Sequence, residues 1–102
     1  MSWNAVATTD DVAVGKVHVV ELDGIRIALC RTSSGVYAVE DVCSHDGSPL
    51  NQGELLGEQI ECPRHGARFD VRNGKNMALP AVRPIRSFST REQDGKIEVE
   101  LT

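Results

Sequence analysis

The sequence predicts an all-β protein: a small antiparallel barrel or sandwich base with a further β subdomain inserted into it. Three observations predict it. Runs rich in β-branched residues alternate with turns, Asp-Gly pairs stand where tight hairpins need them, and no long segment carries the apolar period of a helix. Val17 to Leu22 is one such run, Asp23-Gly24 a two-residue hairpin signal, and Ile25 to Arg31 the returning strand, with Ile25, Ile27 and Leu29 on one face. Thr32 to Gly35 reads as a polar turn and Val36 to Glu40 as the next strand. Ile85 to Arg91 and Lys96 to Leu101 flank a second hairpin signal, Gln93-Asp94-Gly95. The one short helical turn is expected around Thr9 to Val12, capped by Thr9 or Asp10.

The segment from Asp41 to Pro84 has a different texture. It holds five of the nine glycines, two of the three cysteines and two of the three histidines. Short strands are expected at Gln59 to Glu61, Ala67 to Val71 and Lys75 to Met77, with Arg72-Asn73-Gly74 turning between the last two. The chain is therefore read as one domain over 1–102, with a base formed by 1–40 and 85–102 and an insertion at 41–84. A domain this small buries only about two-thirds of its unfolded surface, so a metal centre tying loops together would stabilise it.

Composition narrows the function. Hydrophobic residues at 40% and charged residues at 25% fit an ordinary globular domain, and the formal charge of −4 disfavours nucleic acid or an anionic membrane as partner. No apolar run of about 18 residues is present, and the first ten residues lack the charged-then-apolar build of a signal peptide, so the cytoplasm is the expected compartment. Three cysteines make a poor disulfide framework, and in a reducing compartment metal ligation or core packing is the better use for them.

The chemistry concentrates in Cys43-Ser44-His45-Asp46-Gly47-Ser48-Pro49 and in Cys62-Pro63-Arg64-His65-Gly66-Ala67-Arg68-Phe69-Asp70. Each string pairs one thiol with one imidazole at close spacing. Gly47 and Gly66 permit the sharp turn that lets both ligands converge, and Pro49 and Pro63 stiffen it. Glycine also allows backbone N–H groups to approach inorganic sulfide. Two thiolates with two imidazoles leave two answers open: a closed tetrahedral zinc site, or a two-iron cluster in which histidine replaces cysteine at one iron. Common zinc fingers draw their cysteines and their histidines as separate pairs, whereas here each loop supplies one of each.

Cys-x-His, sixteen intervening residues and Cys-x-x-His resemble the Rieske signature, and Pro63-Arg64-His65-Gly66 fits it closely. Leu79-Pro80-Ala81 resembles the proline-containing loop that covers the cluster in that family. The resemblance implies the Rieske fold and a [2Fe–2S] cluster, one per chain. Cys43 and Cys62 would bind the buried iron, and His45 and His65 the outer, solvent-facing one. It implies a one-electron carrier rather than an enzyme, relaying electrons from a flavin-dependent ferredoxin reductase to a terminal oxygenase. Asp46, Gly47, Ser48, Pro49, Gly66 and Pro80 would frame the docking face. Alternatives are the small Rieske-type subunit of an assimilatory nitrite reductase and, in another class, a zinc-binding interaction module.

The neighbours of the ligands say which kind of carrier to expect. High-potential Rieske proteins carry an extra disulfide-bonded cysteine in each loop; the corresponding residues here are Ser48 and Arg64. The same proteins aim serine and tyrosine hydroxyls at the cluster; Ala67 and Phe69 stand there instead. A donor to sulfur favours the reduced, more negative state, and a hydrogen bond to a charged group is worth about 1.5–3 kcal/mol. Each missing hydroxyl therefore lowers the potential by up to about 60–130 mV, which predicts a carrier in the lower part of the Rieske range. Of the remaining residues, Cys30 is read as core, His18 as a solvent-facing strand residue, Trp3 as a core anchor for the N-terminus, and Arg83 to Glu92 as a solvated charged face.

Overall fold

The computed structural model describes residues 2–44, 47–64, 66–79, 81 and 83–101. Among the described residues ten strands follow in chain order: β1 (Ser2–Thr8), β2 (Val17–Leu22), β3 (Ile25–Thr32), β4 (Gly35–Glu40), β5 (Leu55–Leu56), β6 (Gln59–Glu61), β7 (Arg68–Asp70), β8 (Asn76–Ala78), β9 (Ser87–Gln93) and β10 (Lys96–Leu101). They form two antiparallel sheets. The larger has six strands in the order β1-β10-β9-β4-β3-β2, and the smaller has four in the order β5-β6-β7-β8. All four strands of the small sheet thus come from the chain between β4 and β9.

Local chemistry makes both long hairpins. Asp23 and Asp94 take left-handed backbone angles (φ 52° and 54°), each followed by a left-handed glycine, the geometry of the tight turns that match strand twist. Register follows: Val17 pairs with Cys30 and Leu22 with Ile25 across the first hairpin, and Gln93 with Lys96 next to the second. The expected helical turn is present as a single 3-10 turn at Thr9–Asp11. Its N-cap is Thr8, one residue earlier than expected, and the Thr8 N–H donates to the Asp11 carboxylate at 2.9 Å.

Two strands were missed in the sequence, the two-residue β5 and β1, which pairs with β10 from Ser2↔Leu101 to Thr8↔Lys96 and carries a bulge between Ala5 and Ala7. Trp3 is consequently not a core anchor. It is half-buried on this strand, with the Arg91 guanidinium 4.4 Å above its ring. His18 also departs from expectation: it stands opposite Leu29, on the face that looks into the core of the large sheet, and is half-buried. Arg83, Arg86, Arg91 and Glu92 are exposed as expected, and Glu92 takes a bidentate pair of hydrogen bonds from Arg31 at 3.0 and 3.2 Å.

The large sheet curls around one core, to which all six of its strands contribute: Val6, Val20, Ile27, Leu29, Val36, Ala38, Phe88, Ile97 and Val99. The opposite faces of β3 and β4 are buried as well. Ala28, Cys30 and Val39 pack there against Cys43, Leu50, Ile60, Cys62, Ala67, Phe69, Val71, Ala81 and Ile85, a second core shared with the small sheet. The middle of strand β3, Ile27 to Cys30, therefore reads continuously apolar, since both of its faces are buried there. Polar contacts close the rim of this joint. The Ser34 hydroxyl donates to Glu58 at 3.1 Å and lies 2.9 Å from the Tyr37 hydroxyl.

Candidate metal centre

Cys43 and Cys62 lie in the shared core, each 1% exposed, on two loops of the 41–84 segment. His45 and His65, the imidazole partners expected from the sequence, lie outside the described residues, as do Asp46 and Pro80. The two loops have the same internal hydrogen bonding. In the first, the Cys43 N–H donates to Ser48 O at 2.8 Å and the Gly47 N–H returns to Cys43 O at 2.7 Å. In the second, the Cys62 N–H donates to Ala67 O at 2.7 Å and the Gly66 N–H returns to Cys62 O at 3.2 Å. Four residues after each cysteine stands a glycine at φ 76° or 77°. That left-handed conformation strains any residue with a Cβ, so glycine at this position is what lets each loop fold back on its cysteine. The two glycine amides are therefore engaged in closing the loops, which refines the expectation that the glycines serve mainly to bring N–H groups to sulfide.

What holds the base of each loop differs. The second connects β6 to β7, whose ladder pairs Glu61 with Arg68 and Ile60 with Phe69, reinforced by the Arg68 Nε donating to Glu61 at 3.0 Å. Among the described residues, the first has no such ladder. Its base is held by Asp41, whose Oδ1 accepts the Leu50 N–H at 2.8 Å and the Asn51 N–H at 2.9 Å, while Oδ2 accepts from Arg26 at 3.0 Å. The returning chain is tied to the first loop and to β8. Ser44 Oγ donates to Arg83 O at 2.6 Å, and Asn76 Nδ2 donates to Ala81 O at 3.3 Å. Of the segment expected to cover the site, Ala81 is buried with the two cysteines and Leu79 is exposed, while Pro80 lies outside the described residues. Asp41 is the residue that sequence reasoning missed. The available signal was an aspartate directly after a strand, a position from which its carboxylate readily accepts neighbouring backbone N–H groups.

The donor set suits a metal group. No cysteine is in a disulfide, and two thiols lie buried on matched loops where an ionised sulfur would need a cation to offset its lost hydration. Ala67 and Phe69 are fully buried in the same core and bring no hydroxyl to it. Cys30 shares that core but lies on strand β3 and not on either loop: burial first, then the charge of Asp41, push its thiol up to about 12, so it stays protonated and inert. This agrees with its reading as core. Among the described residues, no helix is long and apolar enough to cross a membrane.

Fold and site together define a small β protein with two buried cysteines on loops of matched internal hydrogen bonding. Residues 2–89 match the Rieske [2Fe-2S] domain, and the chain belongs to that family, which carries a Rieske-type two-iron cluster. The ferredoxin component of the naphthalene 1,2-dioxygenase/salicylate 5-hydroxylase systems of Ralstonia sp is 31% identical over 98% of this chain and 96% of its own. Among solved structures, the ferredoxin of carbazole 1,9a-dioxygenase from Nocardioides aromaticivorans superposes with a TM-score of 0.93 at 35% identity, covering 100% of both chains. A structure described as the complex of reduced oxygenase and oxidized ferredoxin in carbazole 1,9a-dioxygenase has a chain that matches at TM-score 0.89 and 31% identity, over 98% of this chain and 97% of that one.

Proposed function

We propose that this protein is a one-electron carrier that accepts electrons from a flavin-dependent ferredoxin reductase and delivers them to a terminal oxygenase. The observation that carries the reading is the pair of geometrically equivalent loops presenting Cys43 and Cys62 in one buried core. Cys43, His45, Cys62 and His65 would hold the cluster, which when bound supplies a site that gains and loses a single electron. Residues 1–40 and 85–102 serve as the base in this proposal, and 41–84 as the ligand-bearing insertion. The chain's own contribution is to bind, orient and shield. The shared core keeps water from the two sulfurs, and Asp41 and the β6–β7 ladder fix the loops that carry them. Exposed Gly47 and Pro49 frame the face on which a partner would dock.

Full-length similarity to ferredoxin components, one of them in a complex with its oxygenase, supports this role over a nitrite reductase subunit or a zinc module. The cytoplasm, where such reductases find their flavin and nicotinamide partners, is the proposed compartment. Purification under anaerobic conditions tests the reading. A red-brown protein whose EPR signal on reduction reports mixed nitrogen and sulfur ligation is expected, with loss of that signal in His45→Ala and His65→Ala. A colourless protein holding one zinc ion would overturn it.

A further inference from the structure

We infer that Asp41 is a positioning residue for the metal centre: its carboxylate closes the base of the first ligand loop, and Arg26 offsets its charge there. The inference rests on the proposed role of Cys43 as a ligand. Two observations carry it. The Asp41 side chain is 0% exposed, yet it accepts two consecutive backbone N–H groups, from Leu50 and Asn51, just past the far end of the loop beginning at Cys43. Its own backbone N–H donates to Arg26 O at 2.9 Å, so the same strand that supplies the guanidinium also fixes where the carboxylate stands. The second loop needs no such clamp, because strand pairing already closes it.

The charge has a consequence of its own. A buried carboxylate two residues from a cluster ligand opposes the arrival of an electron, and opposes it most where water cannot screen it. Arg26 meets that carboxylate from β3 with a guanidinium that is 53% exposed, so the pair is neutral as a unit while one end stays in solvent. The loop therefore gains a rigid acceptor without a net negative charge beside the metal.

The test uses the intact, cluster-loaded protein and reads the midpoint potential together with the rate of bleaching by an iron chelator. Asp41→Asn keeps an oxygen for the two N–H groups and removes the charge. It should shift the reduction equilibrium toward the reduced state by several-fold, approaching the tenfold that corresponds to about 59 mV for one electron. Arg26→Gln should shift it the other way by a smaller factor, and the double variant should return close to the parent. Bleaching should accelerate at least tenfold in Asp41→Ala, which has no acceptor, and stay near the parent rate in Asp41→Asn. Unchanged potentials in both single variants, or equal bleaching of Asp41→Ala and the parent, would overturn the inference while leaving the carrier function standing. A parent protein that binds no cluster would instead remove the function itself.

Discussion

The loop that begins at Cys43 and the loop that begins at Cys62 are alike inside and unlike at the base. Both donate the cysteine N–H five residues forward and take back an N–H from a left-handed glycine four residues on. Yet one is anchored by a strand ladder and the other by a single buried carboxylate. The imidazoles stand two residues after Cys43 and three after Cys62, so the matched backbone does not follow from matched ligand spacing. Loop shape is a local property, set by where the glycine falls. Loop placement is not local, and each loop takes its base from whatever the surrounding fold offers.

Truncation of the core beneath each loop should give the largest effects. Leu50→Ala beneath the first and Phe69→Ala beneath the second remove fully buried side chains. They are expected to cost about 2–5 and about 3–5 kcal/mol in denaturant unfolding. Against a total stability of about 5–15 kcal/mol, either could abolish cluster retention at growth temperature.

Next come the hydroxyls that this chain lacks. Ala67→Ser and Phe69→Tyr should each raise the potential by up to about 60–130 mV in a redox titration, since a hydrogen bond to a charged acceptor is worth about 1.5–3 kcal/mol. Absence of any upward shift in both would remove the account of the low potential given above.

Smaller still should be Gly47→Ala and Gly66→Ala. Among the described residues a Cβ at either would meet nothing within 4 Å, so the expected cost is backbone strain, roughly 1–2 kcal/mol, and it should be equal in the two loops. Unequal losses in urea midpoints would break the equivalence of the loops.

The smallest effect is assigned to Arg68→Ala. Its pair with Glu61 is 43% and 30% exposed, so removal should cost about 0–1 kcal/mol and leave chelator bleaching unchanged. If it loosened the cluster as Asp41→Ala should, the ladder would not be what holds the second loop.

The two hairpins were legible residue by residue, because Asp23-Gly24 and Asp94-Gly95 impose turns that fix register on both sides. The short strand at Gln59–Glu61 was legible too. Its partners were found with shifted ends, because hydrogen bonds of the turns take up the residues there. Ala67 gives its carbonyl to the Cys62 amide instead of opening β7, and Lys75 gives its carbonyl to Asp70. Ile85 was expected to begin β9 but donates its N–H to Gly74 and buries its side chain against the small sheet, so the strand starts at Ser87. Strand β1 was not legible. Its pairing joins Ser2 to Leu101 across nearly the whole chain, and nothing in Ser-Trp-Asn-Ala-Val alternates strongly enough to announce it.

The four candidate ligands, the turn glycines beside them and the missing hydroxyls at Ala67 and Phe69 were determined by the sequence alone. They depend on residue identity and on spacings of a few positions, which survive in any fold the chain adopts. Only the tertiary structure decided that the middle of β3 is buried on both faces and that His18 looks inward. It alone decided that Asp41 and Arg26 meet beneath the first loop. Those facts depend on which strand lies over which, and that choice is made by the summed burial of two cores rather than by any short stretch of residues.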